Sequence, residues 1–182
     1  MTGKTHALAG ANAAGWGLLL VSGLSHSPIW LAIGGLAGLL PDLDASESEL
    51  QNVSWRVGGR RGLRLKLFKI PALIFHHLFG HRGALHSLLG LVVFTALVAL
   101  IKAPVELILA FGLGYLSHLL TDGLTLGGVP LFWPGHGRVR LSPFIRIRTG
   151  GLLDQALFVG LSLALIGWLF VSQNIPTNTS AL

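Results

Sequence analysis

Apolar runs of helix length alternate along this chain with short polar clusters. The runs cover about residues 7–24, 28–43, 85–101, 105–120 and 152–171, each near the roughly 20 residues that a transmembrane helix needs. The second is the shortest. Strictly apolar only from Ile29 to Leu40, it gives about 18 Å of helix at ~1.5 Å per residue, so crossing a bilayer thins the membrane or draws Asp42 into its edge. Ser27 before Pro28, and Ala103-Pro104, punctuate tight joins on either side of the polar middle. Gly34 and Gly38 have the small-xxx-small spacing that lets membrane helices approach closely. The first run follows Lys4 without a small-x-small cleavage site, so it is expected to remain as a helix. The expected fold is all-α: a polytopic membrane helix bundle of four to five transmembrane helices. It forms a single domain over residues 1–172, with a flexible tail over 173–182.

Composition strengthens that reading. With 52% hydrophobic residues, 11% charged residues and a mean hydropathy of +0.69, the chain lies outside the range of soluble domains. No cysteine is present, which removes disulfides, thiolate ligands and a cysteine nucleophile. Of the 13 Lys and Arg residues, only Lys102 falls on one side of a five-span topology, and the other 12 share the opposite side. The positive-inside rule then predicts a cytoplasmic N-terminus and cytoplasmic basic loops, with an exterior C-terminus. This is the topology of a protein of the cytoplasmic (inner) membrane of a prokaryote. The basic segment 56–69 suits contact with an anionic leaflet, although topogenic charge alone also accounts for it. Within residues 60–80, Leu63, Leu65 and Leu67 alternate with Arg64 and Lys66 as in a strand, whereas Pro71 to Phe79 suits a short interfacial helix. Nucleic-acid binding is not expected, because the basic residues flank spans as membrane topology requires.

The polar clusters carry the candidate chemistry. His118 and Asp122 are four residues apart, so a helix places them on one face, one turn apart. Asp42 and Asp44 close the second run, and two carboxylates so near one another at a membrane edge call for a cation or basic partners. His81 and His86 bracket the start of the third run with Arg82 between them, a guanidinium suited to an anionic substrate group. His6 opens the first run and Asp154 the fifth. Each feature alone has an ordinary explanation: a helix-surface pair, an ion pair with a loop arginine, an interfacial histidine, or a carboxylate at a helix N-terminus. Together they carry more weight. His6, Asp42, Asp44, His81, His86, His118, Asp122 and Asp154 all map to the cytoplasmic ends of the spans, which predicts a metal site there with room for one or two divalent ions. Imidazole and carboxylate donors favour Zn, with Mn or Fe as alternatives.

These stretches also resemble a known family. The PDLD at Pro41–Asp44, the HRGxxHS from His81 and the GYLSHLLTDxLTxxGVPLFWP from Gly114, with Thr5-His6 near the start, are similar to the YdjM-like family. That family is described as membrane-bound metal-dependent hydrolases. The resemblance implies that His6, Asp42, Asp44, His81, His86, His118 and Asp122 are its polar motif positions. The HxxxD pairing is also similar to that of zinc-dependent phospholipase C and nucleases of the P1 type.

The expected function is therefore hydrolysis of an ester or phosphoester of an amphiphilic, lipid-like substrate by metal-activated water. Asp44 or Asp122 would accept the proton, and Arg82 and Arg138 would hold the anion. The alternative is a metal-binding membrane protein without catalysis: a transporter, a sensor or an assembly factor. A transporter would carry ionisable groups near mid-membrane, whereas here they gather at one end.

Overall fold

A computed structural model describes residues 1–21, 24, 26–44, 55–57, 63–65, 83–135 and 137–174. Among the described residues five α-helices carry the fold: α1 (Gly3–Leu19), α2 (Ile29–Leu39), α3 (Leu88–Leu100), α4 (Val105–Gly123) and α5 (Leu152–Asn174). Short 3₁₀ turns at Leu40–Asp44 and Ala84–His86 extend α2 and precede α3. One small element departs from a purely helical expectation. Strand β1 (Trp55–Val57) pairs antiparallel with β2 (Leu63–Leu65) in the register Trp55 to Leu65 and Val57 to Leu63. Of the two readings open for this stretch, residues 63–65 take the strand; residues 71–80 lie outside the described residues.

Two helices, α4 and α5, are long and apolar enough to cross a membrane, while Ile29–Asp42 and Leu88–Leu100 are shorter apolar helices. α1 starts at Gly3, ahead of the apolar run, so His6 lies inside its first turns rather than before them. α4 likewise runs past the apolar run to Gly123 and keeps Thr121 and Asp122 helical. α5 extends to Asn174, and the remainder of the expected tail lies outside the described residues.

The core sits among α1, α2 and α4. Their backbones touch because glycines face one another: a Cβ on Gly10 or on Gly114 would collide with the Gly34 carbonyl, and one on Gly38 would lie 2.7 Å from the His6 carbonyl oxygen. Small residues at helix crossings allow this approach. α3 packs on α4, and α5 packs on α1. Ser87 caps α3, its Oγ accepting from Gly90 N at 3.2 Å while its hydroxyl donates to the Ala84 carbonyl at 2.6 Å. Chain direction alternates from helix to helix. The start of α1, the end of α2, the start of α3, the end of α4 and the start of α5 therefore meet at one end of the bundle.

Candidate metal centre

Each of these helix ends delivers a polar side chain into one small volume. His6 comes from α1, Asp42 from the turn after α2, His86 from the turn before α3, and His118 and Asp122 from α4. The three rings are buried to within 1% of complete. Asp122 Oδ1 lies 3.2 Å from His6 Nε2, and its Oδ2 lies 3.6 Å from His118 Nε2 and 3.8 Å from His86 Nε2. Asp42 Oδ1 lies 3.3 Å from His86 Nε2 and 3.8 Å from His118 Nε2. His6 stacks on His118 with centroids 3.9 Å apart, and His86 meets His118 edge-on at 5.1 Å.

The hydrogen bonds behind the rings fix which nitrogens face inward. His118 Nδ1–H donates to the Gly38 carbonyl at 2.7 Å, a bond that depends on the glycine crossing that brings α2 so close to α4. Thr121 Oγ1 lies 2.9 Å from His6 Nδ1 and 2.9 and 3.0 Å from the Ser117 and His118 carbonyls. With its hydroxyl proton on either carbonyl the oxygen accepts from His6 Nδ1–H, and with that proton turned to the ring it donates to Nδ1. His118 thus carries a proton on Nδ1, and both rings turn Nε2 inward, the arrangement in which an outer partner orients a metal-binding histidine.

Those Nε2 atoms face carboxylate oxygens, which only accept. His118 Nε2 is fully buried with no hydrogen-bond partner, as is His86 Nδ1. Acceptor facing acceptor in a buried site is unfavourable unless a proton or a cation lies between them. The Met1 ammonium donates to Asp122 Oδ1 at 3.0 Å and His86 Nε2 is hydrogen-bonded to Asp42 Oδ1 at 3.3 Å, which answers one oxygen of each carboxylate and leaves His118 Nε2 without a partner. The spacings match a cation. Two ligands at ~2.1 Å from a tetrahedral ion lie about 3.4 Å apart, and the five donor pairs span 3.2 to 3.8 Å. Two groups could hold an ion, His6–His118–Asp122 and Asp42–His86–His118.

The other sequence candidates fall elsewhere. Asp154 stands outside both groups: its Oδ1 accepts from the Thr5 hydroxyl at 2.7 Å, and its Oδ2 from Thr2 N at 3.1 Å and Gly150 N at 2.8 Å. That carboxylate ties the start of α5 to the start of α1. Arg138 is exposed, its Nη1 donating to the Gly127 carbonyl at 3.3 Å. His81, Arg82 and the side chain of Asp44 lie outside the described residues. Sequence reasoning missed the anchors Gly38 and Thr121. Thr121 sits inside the HLLTD stretch and could have been found there, whereas a backbone carbonyl leaves no mark beyond its glycine.

The model of the family described as "YdjM inner membrane protein" matches residues 1–177. The chain belongs to that family. It is 34% identical over 151 residues to Inner membrane protein YdjM of Escherichia coli (strain K12), covering 80% of this chain and 67% of that protein. It is 30% identical over 165 residues to Uncharacterized protein YvsG of Bacillus subtilis (strain 168), covering 90% and 91% of the two. No solved structure matches. Of the two helices long and apolar enough to cross a membrane, α4 carries His118 and Asp122 near its end, and α5 starts beside the cluster with Asp154.

Proposed function

We propose that this chain is an integral membrane protein that holds a single divalent metal ion at the cytoplasmic edge of the inner membrane and hydrolyses an ester or phosphoester of an amphiphilic substrate. The observation that carries the reading is the buried convergence of His118 Nε2, which has no hydrogen-bond partner, and His6 Nε2 on the carboxylates of Asp122 and Asp42. His118 belongs to both candidate groups, and one imidazole nitrogen has one lone pair. This supports one ion drawn from the five donors rather than one per group. Nitrogen and oxygen donors favour Zn, with Mn or Fe next.

When bound, such an ion supplies Lewis acidity and a water whose pKa is lowered toward ~7. The chain's own residues do the rest. Asp42, with a side chain 20% exposed against 1% or less for His86 and His118, marks the open side from which substrate reaches the centre. Asp44 or Asp122 accepts the proton, and Arg82 and Arg138 hold the anionic group. The five helices act as spans with the N-terminus and the 12 clustered basic residues cytoplasmic, and the C-terminus exterior.

A second reading is favoured by the near-complete burial of the three rings: a closed metal site that fastens the helix ends without catalysis. One preparation tests both. Detergent-purified protein is expected to hold about one equivalent of metal by mass spectrometry, and the His118→Ala, Asp122→Ala double variant none. Turnover of lipid-presented phosphoesters above that of the variant supports the hydrolase. Metal without turnover of either lipid-presented or soluble esters selects the closed site, and no metal after reconstitution ends both readings.

A further inference from the structure

The segment joining α4 to α5 carries chemistry of which the proposed function uses Arg138 alone. Residues 124–151 include Arg138, Arg140, Arg146 and Arg148 and no aspartate or glutamate. All four arginines are exposed, and among the described residues none meets a carboxylate. Large apolar side chains stand among them: Phe144 is 93% exposed, and Phe132, Leu141 and Ile145 also face outward.

The segment has a fixed frame. Val129 and Val139 exchange backbone hydrogen bonds at 3.0 and 2.8 Å, Leu141 N donates to the Gly123 carbonyl at 2.9 Å, and Ile147 N to the Leu124 carbonyl at 3.1 Å. Leu88 N, at the start of α3, donates to the Leu131 carbonyl at 3.0 Å. Val129 and Ile147 are buried beneath this frame. The segment is thus tied to the turn beyond Asp122 and to the helix that follows His86. Because it joins the ends of the two helices long enough to cross a membrane, it stands at the level of the membrane surface.

Charge that only sets topology has no need of a phenylalanine held outward between arginines. An apolar tip flanked by guanidinium groups fits a headgroup layer, where the tip enters the acyl boundary and the guanidinium forks bind phosphate. We propose that residues 138–148 form a docking surface for anionic phospholipid headgroups in the leaflet beside the cluster. Phe144 is its wedge and Arg138, Arg140, Arg146 and Arg148 are its phosphate contacts. The occupant is lipid because the surface combines exposed apolar tips with positive charge at a helix end.

The inference rests on the membrane reading of the helices and not on the metal, so the test is run with EDTA present throughout. Energy transfer from the native tryptophans to dansyl-labelled phosphatidylglycerol in neutral micelles reads binding to the full chain. Wild type is expected to prefer phosphatidylglycerol to dansyl phosphatidylcholine, and to lose that preference as ionic strength rises from about 0.1 M to about 1 M, where the screening length falls to ~3 Å. Each Arg→Gln change should weaken binding up to about five-fold, the equivalent of roughly 1 kcal/mol per charge at the surface. The four Arg→Lys changes together should largely retain it. Phe144→Ser should weaken binding of both lipids. A quadruple Arg→Gln variant that melts like wild type yet binds phosphatidylglycerol equally well would overturn the proposal. So would wild type with no lipid preference that binds a DNA duplex in the same micelles. Should the quadruple variant not fold, a wild-type preference that ignores salt overturns it alone.

Discussion

Two buried aspartates at the same end of the bundle are held in opposite ways. Asp154 accepts from a hydroxyl and two backbone amides, so its charge is answered wholly by donors of the fold. Asp122 accepts from the Met1 ammonium but otherwise faces the nitrogens of His6, His86 and His118. Two of those rings are turned toward it by anchors behind them. The first arrangement is complete as it stands, and the second needs a proton or a cation between its members. What separates a structural carboxylate from a ligand is the chemistry of its partners, since burial and position at a helix end are alike.

The largest effect is expected from breaking the second arrangement. Replacing His118 alone by Ala removes the donor common to both groups and should take bound metal from about one equivalent to none by mass spectrometry. Asp154→Asn in the same assay should keep its metal. The converse holds for stability. Asp154→Asn turns an acceptor of three bonds into an amide whose NH₂ meets donors, and about 2–4 kcal/mol should be lost in thermal or denaturant melts of the metal-free protein, at ~1.5–3 kcal/mol for a hydrogen bond to a charged group. His118→Ala should cost the metal-free protein less than it costs the metal-loaded one, because a ligand at about 100 times its Kd contributes ~2.7 kcal/mol to the folded state.

A smaller effect sharpens the same contrast from behind the ring. Thr121→Val keeps the shape but removes the hydroxyl bonded to His6 Nδ1. Losing such an outer partner typically weakens metal affinity about 10–100-fold. Competition against a fluorescent chelator should show that loss while the helix content stays as in the unaltered chain.

The sequence displayed the apolar helices and most of the clustered polar residues, and the reason is physical. A helix that buries apolar side chains all round leaves a run in the sequence, and polar groups at its ends stand out against it. Lys4-Thr5-His6 breaks that signal yet is helical, because Asp154, some 150 residues away, binds Thr2 N and the Thr5 hydroxyl. No local pattern contains that contact. The same holds for Gly38, whose carbonyl orients His118: the glycine spacing shows a close crossing but not which carbonyl it exposes. The strand at Leu63–Leu65 was half legible, since Trp55-Arg56-Val57 carries the same alternation as its partner. Asp154 was read with the ligands because position at a helix start is visible in a sequence and the donors around it are not.

The smallest expected effect lies at the start of α3. Ser87 is fully buried beside His86, its Oγ accepting from Gly90 N and its hydroxyl donating to the Ala84 carbonyl. It therefore caps the helix and closes the turn that carries the histidine. Ser87→Ala should cost about 1 kcal/mol of stability, the usual loss for a helix cap, read as a lower melting temperature of the metal-free protein. If the turn holds His86 toward Asp42 only through this bond, metal affinity falls with it. If the Tyr115 hydroxyl, which donates to the Leu85 carbonyl in the same turn, is enough to hold it, affinity stays and only stability drops. The second outcome is expected, because Tyr115 is wholly buried and reaches the turn from α4, the helix that carries His118 and Asp122. The turn is thus held from the same helix as the ligands it must meet.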